Sequence, residues 1–515
     1  MRNQDGAGLC GLLAVTWLAV TGCSGAVAGA PAIAPSSLPR IGTVDERFQS
    51  YNIEMVEVTG GQFWKPYRSK PESSLVPPRR SGPGPPPGQN ANLFQYRPPI
   101  DLANSRLRGL AAALAPAFLR VSGTWANSTY FTDSERAPIA PPAGFNGVLT
   151  RPQWRGVVEF SRAVNAEIVT SFASSAGSRD AAGVWTPDMA RRLIDYTNSL
   201  GGRIAAAEFM NEPDLPGIGG APAGYDATAY GRDFRIFSGL VSRAAPGLLR
   251  LGPGTVAATS TAADLLQASA PRLDVVSYHY YGALSKRCAG NSTTPEAALS
   301  EPWLTQTERS LNFYKTLRDR FAPGKPIWLT ETAQAACGGD PWAASFLDTF
   351  RYLDQLGRLA RDGVVVVMHN TLAASDYGLL DERSLEPRPN YWGALLWRRL
   401  MGTGVLDAGI PLPSGLHLYA HCLRGIPGGV ALLVINADRD RPHELMIPAS
   451  SVRYTLDAAD LLDEHVRLNG RALALGDGDE LPPLAGEPMG AETQIFRQAT
   501  ITFLGIAEAA NDSCR

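Results

Sequence analysis

The chain has 515 residues, of which 44% are hydrophobic and 19% charged, and this balance excludes an intrinsically disordered polyelectrolyte. A formal net charge of −2 gives no basic field for nucleic acid, so a nucleic-acid-binding protein is excluded as well. The only long apolar run lies near the N-terminus, which excludes a polytopic membrane protein.

The N-terminal segment predicts export of the protein. An apolar stretch from about Leu9 to Val20 is too short to span a bilayer comfortably and is typical of a secretory signal peptide. The following Thr-Gly-Cys23 resembles the end of a bacterial lipobox, in which the cysteine is lipidated. We therefore predict a lipoprotein signal peptide over residues 1–22, a lipid anchor on Cys23 as the one membrane contact, and an extended tether over residues 23–40 at the cell envelope. The alternative is an ordinary signal peptide and a secreted or periplasmic protein.

Short apolar runs alternate with amphipathic helical patterns in the first two thirds of the chain. The runs predict buried strands at Tyr51–Val58, Ala117–Val121, Glu167–Phe172, Ile204–Met210, Leu248–Leu251, Leu273–Tyr280, Pro326–Thr330 and Gly363–Met368. Thr186 predicts the cap of a helix from Pro187 to Gly201, and Asp340-Pro341 predicts the start of another. Eight strand–helix units are the number of a (β/α)8 TIM barrel, an α/β fold that we predict over residues 41–400.

Beyond Met401 the pattern changes to short strands separated by turn residues, with little helix. The predicted strands are Leu416–Leu423, Val430–Ile435, Ser451–Leu456 and Thr500–Leu504. They predict a β-sandwich over residues 401–515, completed by a strand from about Ile41 to Phe48. Residues 65–99 are rich in Pro and Gly, and we interpret them as an insertion that is either disordered or borders a cleft.

Four cysteines lie beyond the signal segment and permit three disulfide pairings. They are Cys288, Cys337, Cys422 and Cys514. We favour the pairs Cys288–Cys337 and Cys422–Cys514, because each pair then falls within one predicted domain; unpaired thiols are the alternative. The sequence has no Cys-x-x-Cys motif and its six histidines are scattered, so we predict no metal site and no cofactor.

Three predicted strands end in polar residues, which is the position of catalytic groups in TIM barrels. Asn211-Glu212 follows one strand, Glu331 follows a second, and His279 and Tyr281 lie at the end of a third. A glycosidase needs a protonated carboxyl group for the leaving oxygen and an ionised carboxylate for the anomeric carbon. We interpret Glu212 as the acid/base and Glu331 as the nucleophile, with Asn211 as a partner of the sugar 2-hydroxyl. The alternative is a pair of solvated or ion-paired loop carboxylates.

The motifs around these residues resemble glycoside hydrolase family 79, the heparanase and β-glucuronidase family of clan A. The matching segments run in chain order: Leu114–Thr124, Asn211–Pro213, His279–Tyr281, Trp328–Thr332, Val367–Asp381 and Pro389–Trp392. The resemblance implies a (β/α)8 barrel with a β-sandwich and a retaining mechanism. It also implies that Glu212 is the acid/base and Glu331 the nucleophile.

The family binds a hexuronic acid through backbone N–H groups of a Gly-rich loop after the nucleophile and through a Tyr hydroxyl. Carried over to this sequence, those groups belong to Gly338, Gly339 and Tyr377. Glycine lets backbone donors approach an anion closely, and we expect a helix to start at this loop. A plain turn and a packed aromatic residue are the alternative. The sequence departs from some relatives in having Ala336 and Cys337 where they carry Tyr and Gly.

Three further residues resemble sugar-binding or orienting groups of the family. Glu54 on the first predicted strand matches an acidic residue that holds sugar hydroxyls, with a surface carboxylate as the alternative. His279 and Tyr281 share one face of their strand because side chains alternate, so either one can orient Glu331 or contact the sugar. A satisfied core histidine is the alternative for His279.

The sequence thus predicts an enzyme with a carbohydrate substrate. We expect a retaining glycosidase that removes terminal β-linked glucuronic acid, or a related uronic acid, from glycans. The chain has only five Lys and its Arg residues are dispersed, which favours exo action over cleavage within sulfated chains. The alternatives are a β-xylosidase or β-glucosidase of the same clan, an endo-acting heparanase and a non-catalytic glycan-binding lipoprotein.

Overall fold

The structure is a computed structural model that describes residues 30–68, 82–86, 89–288 and 292–515. The predicted signal peptide and the predicted lipidation site Cys23 lie outside these ranges. Within them, every helix is too short or too polar to serve as a transmembrane span.

Eight parallel strands close into a barrel in the described part of the chain. They are β1 (Gln49–Glu54), β2 (Ala117–Ser122), β3 (Ala166–Ser171), β4 (Ile204–Glu208), β5 (Leu249–Thr255), β6 (Val275–Tyr281), β7 (Ile327–Ala333) and β8 (Val364–His369). Each strand pairs with its neighbours in the chain, and His369 of β8 lies opposite Tyr51 of β1 to close the ring. The predicted (β/α)8 barrel is confirmed, and the C-terminal ends of its strands meet at one rim.

Apolar side chains fill the lower part of the barrel interior. Phe118 of β2 and Trp328 of β7 come from strands that are not neighbours, yet their rings lie 4.9 Å apart. Leu251 and Met368 belong to the same buried cluster. Because side chains alternate along a strand, Arg120, two residues beyond Phe118, projects into the same interior one layer closer to the rim. The apolar floor therefore supports a polar layer above it.

Helices connect the strands and cover the outside of the barrel. Their bounds are Met55–Thr59, Ser105–Ala113, Arg151–Ala163, Asp188–Ser199, Ala227–Ala244, Ser260–Ser269, Glu301–Leu304, Gln306–Phe321, Phe346–Arg361 and Pro389–Leu400. Two short strand pairs, Gly61–Trp64 with Phe94–Arg97 and Thr129–Phe131 with Gly147–Leu149, lie in the connections.

Two local predictions near strand and helix ends are wrong. The first strand ends at Glu54 rather than Val58, because the chain turns into a short helix immediately after it. Thr186 does not cap the helix Asp188–Ser199, since its hydroxyl donates to the carbonyl of Ser178 instead.

The helix predicted to start at Asp340-Pro341 begins instead at Phe346 and runs to Arg361. Its first N–H groups find acceptors in the C-terminal domain: Phe346 donates to the carbonyl of Asp463 and Leu347 to that of Leu461. The helix N-terminus therefore faces the second domain, and its dipole does not act on the Gly-rich loop as predicted.

The C-terminal part of the chain forms an antiparallel sheet domain. The strand order of its main sheet is Arg40–Thr43, Met401–Leu406, Leu416–Leu423, Val430–Asn436, Thr500–Ile506, Ser451–Asp457, Arg467–Leu468 and Arg471–Ala472, with Glu487–Met489 paired to Ser451–Asp457. A second sheet of His443–Ile447 and Glu492–Phe496 packs on one face through Leu445 and Phe496. The predicted C-terminal β domain is confirmed, and its second layer consists of two strands.

Residues 30–40, predicted as part of the tether, lie against this sheet domain. Ile33 is buried and its N–H donates to the carbonyl of Met446. The side-chain amide of Asn511 donates to the carbonyl of Pro35. These contacts replace the extended conformation that the composition of the segment predicts.

A charged network, buried except at Glu301, joins the barrel to the sheet domain. Asp354 accepts a hydrogen bond from the Tyr419 hydroxyl and contacts Nδ1 of His417, while Glu301 lies 3.0 Å from Nε2 of the same ring. Arg358 donates to both Asp354 and Glu301. Burial acts to lower the pKa of His417, but Asp354 outweighs it and raises that pKa to about 9. The His417 ring is therefore protonated at neutral pH.

Candidate active site

A cavity of about 560 Å³ opens at the C-terminal rim of the barrel. Its walls include the carboxylates of Glu54, Glu212 and Glu331 and the polar side chains of Asn370 and Tyr377. These residues come from the ends of four barrel strands or from the loops that follow them. The rim is the face of the fold on which TIM barrels carry their catalytic groups.

Glu212 and Glu331 face each other across this cavity. One carboxylate oxygen of Glu212 and one of Glu331 lie within 4.8 Å of each other. Carboxyl groups about 5–5.5 Å apart are typical of retaining glycosidases, whereas inverting enzymes need about 6.5–9.5 Å to admit a water molecule. The geometry of the pair matches the retaining class.

The guanidinium of Arg120 organises the layer below the cavity. It donates to Glu208 through Nε and Nη2 at 3.2 and 2.9 Å, and to Glu331 through Nη1 at 2.8 Å. Nη2 also donates to the side-chain oxygen of Asn211 at 2.8 Å. Burial acts to raise the pKa of Glu208, but Arg120 outweighs it and, together with His279, holds that pKa well below its ordinary value. Glu208 is thus a fixed anion that anchors the guanidinium.

Two donors fix the orientation of the Glu331 carboxylate. The Tyr281 hydroxyl donates to Oε1 at 2.7 Å, and Arg120 donates to Oε2 at 2.8 Å. Burial raises the pKa of Tyr281 well above its ordinary value, so the hydroxyl keeps its proton as a donor. Of the two sequence-predicted residues of β6, Tyr281 is therefore the one that contacts Glu331 by a hydrogen bond.

His279 contacts the other carboxylate. Its Nδ1 lies 3.0 Å from Oε1 of Glu212 and the residue is fully buried, so it lies behind Glu212 and does not line the cavity. Burial and the Arg120 guanidinium oppose protonation of the ring, but Glu331 and the other carboxylates outweigh them and raise the pKa of His279 to about 10. The Nδ1–H then donates to one oxygen of Glu212 and leaves the other free to carry a proton.

Burial is also the main reason that the pKa of Glu212 is raised. The hydrogen bond from His279 lowers it in part, and the charge of Glu331 raises it further. An elevated pKa favours the protonated form that a general acid needs. The backbone of Glu212 has a φ of 46°, a left-handed conformation that turns the chain sharply after β4.

Glu54 lies in the cavity wall with one oxygen in use. Its Oε1 accepts from the Asn370 side-chain amide at 3.2 Å, and its buried Oε2 has no hydrogen-bond partner among the described residues. Burial, followed by the charge of Glu331, raises the pKa of Glu54 well above its ordinary value. Gly123 makes room for this carboxylate, because a Cβ there would fall 1.5 Å from Oε2. Glu54 thus lines the cavity while its Oε2 packs against Gly123.

The loop after β7 differs in detail from its prediction. Gly338 packs against Trp64 and Gly339 against Tyr377, whereas Ala336 and Cys337 line the cavity. The N–H groups of Cys337 and Gly338 donate to no acceptor among the described residues, whereas the N–H of Gly339 closes the hydrogen-bonded turn that contains them. Successive free N–H groups in such a turn form a concavity suited to an anion. The loop is thus a candidate anion site, with Cys337 on its cavity side.

Tyr377 and Asn211 differ in their access to the cavity. The Tyr377 hydroxyl accepts from Asn370 at 3.3 Å and lines the cavity. Asn211 is 1% exposed, its side-chain oxygen is bound by Arg120, and it does not line the cavity. Its N–H donates to Asn127, so Asn211 is held firmly beside Glu212.

Sequence reasoning missed Arg120, Glu208 and Asn370. One signal was present for Arg120, since a cation inside an otherwise apolar strand needs a buried partner. Asn370 directly follows β8 and therefore shares the strand-end position of the predicted catalytic residues.

Glu212, Glu331 and His279 have a spacing that would accommodate a metal ion. However, the Arg120 guanidinium lies 2.8 Å from Glu331 and 3.1 Å from His279. Its charge opposes a second cation at the same place. The cluster is better suited to proton transfer and nucleophilic attack than to metal binding.

The predicted pairing of the cysteines is the one found in the structure. Cys288 is bonded to Cys337 at the cavity, and Cys422 is bonded to Cys514 in the sheet domain. The Pro- and Gly-rich insertion also reaches the cavity, since its described residues Pro86 and Leu93 line the wall.

Residues 99–357 match the family model described as glycosyl hydrolase family 79, N-terminal domain. The chain is 29% identical over 359 residues to heparanase-like protein 1 of Arabidopsis thaliana, a match that covers 65% of each chain. It is 28% identical over 455 residues to heparanase of Mus musculus, covering 76% of this chain and 83% of the mouse protein. It is 24% identical over 429 residues to baicalin-beta-D-glucuronidase of Scutellaria baicalensis, covering 75% and 79%.

Solved structures share the two-domain fold. An arabinofuranosidase from Xanthomonas axonopodis pv. citri superposes with a TM-score of 0.62 at 14% identity, covering 91% of this chain and 99% of that one. A 4-O-alpha-L-rhamnosyl-beta-D-glucuronidase from Fusarium oxysporum gives a TM-score of 0.62 at 14% identity, covering 93% and 100%. The fold, the site geometry and the family match agree: the chain belongs to glycoside hydrolase family 79 and is a glycoside hydrolase related to heparanases and β-glucuronidases.

Proposed function

We propose that this glycoside hydrolase is a retaining, exo-acting β-glucuronidase. Glu331 is the nucleophile and Glu212 acts first as acid and then as base. The observation that carries the retaining mechanism is the approach of their carboxylate oxygens to within 4.8 Å. The similarity to heparanases and to a baicalin-beta-D-glucuronidase supports a uronic acid as the sugar.

In the first half-reaction, Glu331 attacks the anomeric carbon and forms an ester with the sugar. The bond to the leaving oxygen breaks, and Glu212 gives its proton to that oxygen. The raised pKa of Glu212 keeps this proton available, while Arg120 and Tyr281 hold the attacking carboxylate in place.

In the second half-reaction, Glu212 is the base. It takes a proton from a water molecule as the water oxygen attacks the anomeric carbon and the ester to Glu331 breaks. The enzyme returns to its starting protonation state, and the two inversions give a product with the original β configuration.

We expect the sugar carboxylate to bind at the loop Cys337–Gly339. The free N–H groups of Cys337 and Gly338 supply neutral donors, and the Tyr377 hydroxyl supplies another. Burial raises the pKa of Tyr377 well above its ordinary value, so this hydroxyl remains a donor. Glu54, which lines the same cavity, then serves a sugar hydroxyl.

The lining of the cavity favours exo action on an apolar aglycone. Leu215, Ile218, Val256 and Leu284 line the cavity with Glu212. Among the described residues, Arg287 is the one basic side chain that lines it. An endo-acting enzyme on a sulfated chain needs several cations beside its cleft, because each sulfate requires a partner.

We further propose that the protein is exported and anchored at the cell envelope by a lipid on Cys23. The short apolar stretch before the lipobox-like Thr-Gly-Cys supports this assignment. Wild-type protein is expected in the membrane fraction, and Cys23→Ala is expected to shift it to a soluble fraction. An unchanged distribution would contradict the lipid anchor.

The test of the enzymatic proposal compares nitrophenyl β-glucuronide, β-glucoside and β-xyloside as substrates. We expect the glucuronide to be preferred and β-glucuronic acid to be the first product seen by NMR. Glu331→Gln should abolish turnover, and Glu212→Gln should lower kcat about 10²–10⁴-fold on a substrate with a poor leaving group. Glu492→Gln, exposed in the sheet domain, is the control and should leave kcat unchanged.

Two outcomes would contradict separate parts of the proposal. Hydrolysis of the neutral glycosides alone would contradict the uronic acid assignment. An α-configured first product would contradict the retaining mechanism, whatever the sugar.

A further inference from the structure

The disulfide Cys288–Cys337 lies in the wall of the cavity, where both cysteines line it. The chain segments beyond β6 and β7 remain paired up to this bond. The N–H of Ala336 donates to the carbonyl of Ala283, and the N–H of Ser285 donates to the carbonyl of Ala336. The disulfide is therefore the covalent link between two segments that both border the cavity, and the N–H of Lys286 donates to Asp340 beside it.

One half of the disulfide starts the candidate anion loop. Cys337, Gly338 and Gly339 have φ values of 63°, 83° and 84°. This left-handed conformation is unfavourable for cysteine, which carries a Cβ, and readily adopted by glycine. The loop is also closely packed, since a Cβ on Gly338 would fall 2.5 Å from the Ser375 hydroxyl oxygen. Of the three residues, Cys337 is the one for which this conformation is unfavourable. Its covalent bond to Cys288 therefore opposes its relaxation out of the left-handed conformation.

The other half of the disulfide follows a buried cation. The side chain of Arg287 is 6% exposed, its Nη2 donates to Asp376 at 2.7 Å, and its guanidinium lies 3.9 Å from the centroid of the Tyr67 ring. Its buried Nε has no hydrogen-bond partner among the described residues, although Arg287 lines the cavity. A free donor on a buried cation at the cavity wall indicates an anionic group of a ligand.

We propose that Cys288–Cys337 is a positioning disulfide for the substrate carboxylate. It holds the free N–H groups of Cys337 and Gly338 in register with Arg287, so that backbone donors and cation act on the same anion. The inference rests on the proposed uronic acid specificity and adds a second element to it. The sulfur atoms take no part in bond making or breaking.

The physical reason lies in the number of donors that must converge. Hydrogen bonds to a carboxylate weaken steeply when donors leave their alignment, and two separately moving segments lose that alignment more often than two linked ones. A neutral sugar does not use these donors. Loss of the disulfide should therefore act on the KM for glucuronides and leave neutral glycosides unaffected.

The experiment replaces both cysteines as Cys288→Ser/Cys337→Gly. Glycine at position 337 accepts the left-handed backbone, so the variant removes the link without adding strain. The matched control is Cys422→Ser/Cys514→Ser, which removes the other disulfide, in the sheet domain. We expect the KM for nitrophenyl β-glucuronide to rise about tenfold or more, kcat to change less than about threefold, and the control to keep its KM.

Two results would overturn the inference: an unchanged KM for the glucuronide, or an equal rise for nitrophenyl β-glucoside. Arg287→Gln keeps the disulfide and should show the same selective rise in the KM for the glucuronide. If thermal unfolding shows that the cysteine variant is not folded, this variant tests the positioning role in its place. Wild-type preference for neutral glycosides would refute the proposed function itself. A wild type that prefers the glucuronide, with both variants unchanged, would refute the positioning role alone.

Discussion

Replacing Arg120 with methionine tests whether one buried guanidinium organises both the stability and the chemistry of the site. Arg120 is 1% exposed and donates to Glu208, Glu331 and Asn211. Methionine has a similar length and no donor, so the change removes the charge while leaving little empty space. Glu208, which is fully buried, then loses both hydrogen bonds from the guanidinium.

The size of the stability loss depends on the hydrogen bonds that Glu208 keeps in the variant. Removing one partner of a buried ion pair costs about 3–5 kcal/mol, because the remaining charge is uncompensated. The hydroxyls of Ser277 and Thr330 still donate to Glu208 at 2.9 and 2.7 Å, so we expect the low end, about 3 kcal/mol. That loss is a large share of the roughly 5–15 kcal/mol that holds a typical domain folded.

The loss should also depend on pH. Burial acts to raise the pKa of Glu208, and Arg120 is the main reason that it is low instead. In the wild type this carboxylate stabilises the fold above its unfolded pKa of 4.5, and the stabilisation is lost as the pH falls. Without Arg120, burial dominates and the ionised carboxylate opposes folding as the pH rises. The difference between variant and wild type should therefore be larger at pH 8 than at pH 5.

Urea unfolding at the two pH values measures this difference, and turnover of nitrophenyl β-glucuronide measures the effect on Glu331. Turnover should fall at least about tenfold, because Glu331 loses one of its two orienting donors. Arg358→Met is the control, since it breaks a buried pair with Asp354 away from the cavity and should lower stability but not activity. A loss of less than about 1 kcal/mol, or an equal loss at both pH values, would refute the reasoning.

Three further predictions test other contacts. Gly123→Ala should lower kcat/KM, because its Cβ would displace Glu54. It should also lower the unfolding temperature, because a φ of 89° with a ψ of 177° costs about 1–3 kcal/mol for a residue other than glycine. Full activity of the variant would contradict the contact between Gly123 and Glu54. His279→Gln should move the alkaline limb of the kcat/KM profile to higher pH, because the pKa of Glu212, raised by burial, is held down in part by His279; an unmoved limb would contradict this. The stabilisation from His417, about 3 kcal/mol, should be complete below pH 6.5 and lost as the pH rises through about 9. The free energies of unfolding of the wild type and His417→Gln, measured in urea, should therefore converge in alkaline buffer.

The barrel is predictable from local patterns, because strands buried on both faces are continuous apolar runs between helical periodicities. The predicted Ala117–Val121 differs from the observed strand by one residue. The start of the helix Phe346–Arg361 is a different case. Asp340-Pro341 carries a helix-start signal, but the acceptors that satisfy the first turn belong to Leu461 and Asp463 in another domain. Local sequence contains no information on those acceptors.

The same distinction applies within the site. Glu212 and Glu331 are predictable because closure of a parallel barrel brings strand ends together, whatever their separation in sequence. The role of Arg120 depends on which interior side chains meet in one layer, which the strand pattern does not specify. Glycines are the obvious donors of an anion loop, yet packing turns Gly338 toward Trp64 and leaves Cys337 at the cavity.

The charges of the polar layer explain why neutral donors suit the substrate carboxylate. Arg120 and His279 supply two positive charges, and Glu208 and Glu331 contact them as partners. Glu212 is then a third carboxylate beside only these two positive charges. Burial and the charge of Glu331 raise its pKa and so favour its protonated form. The charge of Arg287 is already matched by Asp376, so a bound uronate adds net negative charge to the cavity. That charge raises the pKa of Glu212 further, so substrate binding itself helps to keep the proton that the leaving group requires.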